Sequence, residues 1–137
     1  MHAGWDRRAA AWLAAAQQSV RVVTAADHHP RPSEARSYVG DGRLVVLAAD
    51  GPAGEGWRFA VDAERRGQAP PSYLAQSRHF SSQSDFWRSW TQFEVACKLH
   101  DRPVAHALSI DADRLYLGVS LCSFDLEDLA VCVGFLP

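Results

Sequence analysis

Residues 86–99 read FWRSWTQFEVACKL, and this stretch decides the fold. At about 100° per residue, Phe86, Trp90, Phe93 and Cys97 fall within roughly 60° of one another and form one apolar stripe. Ser84 and Asp85 stand just before it, with side-chain oxygens suited to the free amides of a first turn. Pro103 bars continuation at the other end. The spacing predicts an amphipathic helix from Phe86 to Leu99 whose rings face a core.

A long punctuated segment feeds this helix. From Arg65 to Ser84 no apolar period is visible, and Gly67, Pro70, Pro71 and scattered serines interrupt the run. Loops of this length are uncommon in small domains and are usually functional or disordered. Six of the fourteen aromatic residues (Tyr73, Phe80, Phe86, Trp87, Trp90 and Phe93) lie between positions 73 and 93. Trp87 sits off the apolar stripe, beside Thr91 and Glu94. It reads either as a rim residue packed under the preceding loop or as an exposed anchor of the kind enriched at interfaces.

Outward from there, Trp5, Ala9, Trp12, Leu13 and Ala16 recur at helical spacing in an alanine-rich setting, predicting a first helix over 5–18. Val20 to Thr24 is short and β-branched, the pattern of a strand. Ser37 to Val39 and Arg43 to Ala49 flank Gly40-Asp41-Gly42 and read as a hairpin. The second of these strands, apolar from Leu44 to Ala48, is expected to be central. Trp57, Phe59 and Val61 alternate with Arg58, Ala60 and Asp62, as in a strand with one wet face. Val104 to Ile110, Arg114 to Cys122 and Leu129 to Leu136 also read as strands, although Asp125, Glu127 and Asp128 could equally open a short helix at the last of them. The expectation is an α+β domain over 1–137: an antiparallel sheet of about five or six strands with two helices packed on one face.

Composition narrows the function. The net charge of −2 supplies no basic field for nucleic acid and no polybasic segment for an anionic membrane. No apolar run approaches the roughly 18 residues of a membrane span, and three cysteines without a framework suit a reducing compartment, so a cytoplasmic protein is expected.

Signatures of chemistry are missing. Cys97, Cys122 and Cys132 form no close pair of the kind metal sites use. His100, Asp101, His106, Asp111 and Asp113 cluster in sequence, but the histidines lack the i, i+4 spacing of a helical metal motif and the aspartates suit turns. His28 and His29, ahead of Pro30, read as a solvated loop. Ser81, Ser82 and Ser84 suit helix capping, and neither Gly40–Gly42 nor Gly51–Gly56 matches a nucleotide loop. No catalytic residue, metal or cofactor is therefore expected.

What remains is surface. Tyr73 and Arg78 on the loop, with Trp87 beside it, combine contact area with directed hydrogen bonds. Asp125, Glu127 and Asp128 form an acidic cluster that suits a basic partner or the first turn of a helix. These six residues are the expected contacts with another protein, such as a toxin or effector. The leading expectation is a protein-binding module, most concretely an inhibitor or immunity-type protein that blocks its partner sterically. The alternative is a small-molecule-binding or enzymatic α+β domain, with a pocket between the sheet and the 86–99 helix near His100 and His106.

Overall fold

Alanine-rich Ala3–Ser19 forms helix α1, which buries Trp12 and Ala16 and runs directly into strand β1, Val20–Thr24. The computed structural model describes residues 3–48, 58–75, 86–110 and 112–136. The side chain of Trp5, and Trp57, Phe80, Ser84, Asp85 and Asp111, lie outside what is described.

After a single 3-10 turn at Ala25–Asp27 come β2 (Ala35–Tyr38) and β3 (Arg43–Leu47). Gly40 and Gly42 take φ of 95° and 92° in the reversal between them, values that favour glycine. β3 is central as expected, in the order β1-β3-β2, antiparallel on both sides. The second sheet has the order β4-β6-β5, built from Arg58–Arg65, Leu129–Leu136 and Ser120–Leu126. Its middle strand β6 is buried on both faces along nearly its whole length.

Two antiparallel three-stranded sheets thus replace the single sheet of five or six strands that the pattern predicts. They meet where β2 lies beside β4, and at that seam a serine side chain replaces part of a backbone ladder. Ser37 Oγ accepts the Ala63 amide at 3.1 Å and donates to Asp62 Oδ1 at 3.2 Å.

The helices do not share one face. Trp12 and Ala16 of α1 pack with Val45, Leu47, Val61, Val131, Val133 and Phe135, spanning both sheets. Helix α3, Phe86–Leu99, lies on the opposite face of the second sheet, where Val95 and Leu99 meet Ala60 and Cys132. Gly134 permits this approach. A Cβ there would stand 2.7 Å from Leu121 Cδ2 and 2.8 Å from Val95 Cγ1.

Three short helices complete the described elements: α2 (Ser72–Ala75), α4 (Val104–Ala107) and α5 (Ala112–Tyr116). The last two overturn the strands expected from 104 and 114. Pro103 has no amide to satisfy, and its carbonyl accepts the amides of His106 and Ala107, starting a helical turn. Gly118, at φ 76°, ends α5 before β5 begins at Ser120. Ala107 and Leu115 then join Leu74, Phe86, Trp90, Phe93 and Cys97 in a second core. The α3 stripe is buried as its spacing predicts. Among the described residues, no helix is long and apolar enough to cross a membrane.

Candidate functional site

The segment between β4 and α2 is held at both ends. At its base the Arg66 amide donates to the Asp128 carbonyl at 2.9 Å, and Arg66 Nη2 donates to the Glu127 carbonyl at 2.6 Å. Further along, the Trp87 indole N–H donates to the Gln68 carbonyl at 2.9 Å, while its ring meets Phe86 edge-on at 4.8 Å. Trp87 is half-buried, so its geometry matches a rim residue beneath the loop, not an exposed anchor. The Leu74 amide donates to the Pro71 carbonyl at 3.0 Å, closing the α2 turn and seating Leu74 in the second core.

Tyr73, next in chain to buried Leu74, points outward with 75% of its surface exposed. Buried Leu74 anchors the backbone that carries this exposed ring. Arg78 and His79 lie outside the described residues.

The structure brings Asp125, Glu127 and Asp128 together at the two-residue turn between β5 and β6, with Glu127 at φ 56°. No helix starts there. Their charges are met largely from within the chain. Both Arg43 terminal nitrogens donate to the Asp128 carboxylate, and Arg43 also engages Asp41 at 2.7 Å. Asp125 faces Arg66 at 3.7 Å and Glu127 faces Arg43 at 3.8 Å. The Arg43 hydrogen bonds hold both the Asp41 and Asp128 carboxyls below the usual carboxylate range. Through Arg66 this hairpin also clamps the base of the Tyr73 loop, so the two halves of the expected surface are mechanically joined.

Sequence reasoning missed a group of acids under α3. Strand alternation places Asp62 on a wet face, yet Asp62 is 4% exposed. Lys98 Nζ donates to Asp62 Oδ1 at 3.2 Å and to the Val61 carbonyl at 2.8 Å. Glu64 accepts from Gln68 and from the Trp90 indole. Burial, with the Asp62 charge adding to it, raises the Glu64 carboxyl and pushes that of Glu94 up to about 7. The signal available in sequence was the Glu94–Lys98 spacing on α3 opposite Asp62 and Glu64 on β4. Without the strand-to-helix pairing it reads as an ordinary surface pair.

Cys97 and Cys132 are buried, and burial pushes their thiols up to about 11 and about 12, whereas Cys122 is partly exposed. His106 is exposed, while His100 Nε2 is buried with no hydrogen bond among the described residues. Among those residues, no three ligands are grouped to hold a metal ion. No protein-family model, curated protein or solved structure matches this chain.

Proposed function

We propose that this chain acts by binding another protein, as an inhibitor or immunity-type module that covers its partner's working surface. The observation that carries this reading is Tyr73, 75% exposed on a turn braced by the Trp87–Gln68 bond, the Arg66 clamp and buried Leu74. Exposed tyrosine on a rigid support is a favoured interface anchor, because its area is offered with little freedom left to lose. Asp125 and Glu127, more loosely paired than Asp128, form a rim that steers a basic partner.

The test is co-purification of the tagged chain from its native host, followed by affinity measurement with the captured partner. Tyr73→Ala is expected to weaken that complex at least about tenfold while leaving the melting temperature unchanged. Equal affinity in wild type and variant overturns the assignment of the surface.

One observation favours a ligand-binding or enzymatic reading: Glu94 and Lys98 line an open groove with Cys97, Asp101 and Arg102 at the end of α3. A carboxylic acid that titrates near neutrality beside a groove suits general acid–base work. In this reading Glu94→Gln abolishes turnover; in the protein-binding reading it leaves partner affinity intact.

A further inference from the structure

We propose that a cleft between β1 and the connection leading to β2 binds a phosphoryl group. β1 and β2 both pair antiparallel with β3, so they run parallel to each other and their connection must cross the sheet. Helix α1 covers one face. The connection crosses the other, where Leu44 and Val46 are each 1% exposed. Register places Arg21 and Arg36 on that same face, on either side of Val46. A cleft of about 230 Å³ opens there, lined by Arg21, His28, His29, Arg31, Ser33 and Glu34.

The cleft is organised by one pair. His28 Nε2 lies 2.6 Å from Glu34 Oε1, and the two side chains are 12% and 5% exposed. The bond from His28 holds the Glu34 carboxyl below its ordinary range. An ionised carboxylate only accepts, so Nε2 carries the proton and the imidazole is locked in orientation. Glu34 is thereby occupied. The Arg21 and Arg31 guanidiniums line the same space with no carboxylate in ion-pair range among the described residues. In a chain of net charge −2, this is a small recess where two guanidiniums face one carboxylate that His28 holds at its back.

Size and donor chemistry define the ligand. Pockets for drug-sized molecules run from about 300 Å³ upward, so this one suits a compact anionic head group. Guanidinium forks match phosphoryl oxygens bidentately, and the Ser33 hydroxyl and His29 ring add donors for a third oxygen. A carboxylate offers only two oxygens to the same set.

Calorimetric titration of the full chain with inorganic phosphate, ribose 5-phosphate and AMP tests the site. The expected result is saturable one-to-one binding, weakened at least about tenfold in Arg21→Gln and in Arg31→Gln. Both side chains are exposed, so both variants should melt as wild type does. Binding of inorganic phosphate assigns a free-anion site, and binding of the esters alone assigns a phosphoryl group carried on a sugar. In the wild-type chain, the imidazole C–H resonances of His28 and His29 should shift on titration. No saturable binding of any of the three, equal binding of acetate, or histidine resonances that stay still would overturn the proposal.

Discussion

The Ser37 hydroxyl donates to Asp62 Oδ1 at 3.2 Å while accepting the Ala63 amide at 3.1 Å, so one side chain joins the two sheets and partners a buried carboxylate. Removing it leaves the buried Ala63 amide without that acceptor and the buried Asp62 carboxylate with Lys98 as its remaining side-chain donor. Ser37→Ala is expected to destabilise the fold by about 1–3 kcal/mol, read from urea unfolding. A cost near zero would show that the seam does not depend on this hydroxyl.

The pH dependence of stability follows from opposed shifts. Glu94, Glu64 and Asp62 are raised, chiefly by burial, so over that range the folded chain binds more protons than the unfolded one. Their effect lowers stability as pH rises from 4.5, the ordinary glutamate value, through about 7 for Glu94. Asp41, Asp128 and Glu34 are lowered, by hydrogen bonds from Arg43 to the first two and from His28 to the third. Their contribution is present above their ordinary values and is lost as pH falls through the acid range. Stability should therefore peak at about pH 5 and decline toward about pH 7. Glu94→Gln should flatten that decline, measured as urea midpoints across the range.

Close approach of α3 to β6 makes position 134 intolerant. Gly134→Ala would place a Cβ 2.8 Å from Val95 Cγ1 and 3.0 Å from the Ser120 carbonyl. The expected cost is about 1–3 kcal/mol from overpacking. Gly67, where an added Cβ would meet nothing within 4 Å, is the control. Gly67→Ala should change stability by no more than about 0.5 kcal/mol.

Trp87 and Tyr73 should separate in their effects. Trp87→Phe removes the indole donor to Gln68, an effect of about 0.5–1.5 kcal/mol on stability, and loosens the turn that carries Tyr73. Partner affinity should fall as well. Tyr73→Ala should lower affinity alone, which thermal melts and binding isotherms on both variants resolve.

Arg43 is the counter-charge for the β5–β6 turn. Arg43→Gln should return the Asp41 and Asp128 carboxyls toward their ordinary value of 3.8, visible in an NMR titration of their side chains. Because these carboxylates lie at the surface, the stability change should be small.

Sequence alone determined the elements whose cues lie within a few residues. The α3 stripe, the alanine-rich α1 and the glycine-bounded β2–β3 reversal depend on periodicity and turn chemistry, which act locally. Tertiary structure decided what local cues leave open. Val104–Tyr116 is apolar enough for strand or helix, and packing of Ala107 and Leu115 against Phe86 and Trp90 selected helix. Asp62 alternates like a surface residue until α3 covers its face and Lys98 reaches it. The acidic turn looks free until Arg43, 85 residues earlier, closes on Asp128. Pairings at such separations are set by chain topology, because no short-range rule links residues that meet only after both sheets have formed.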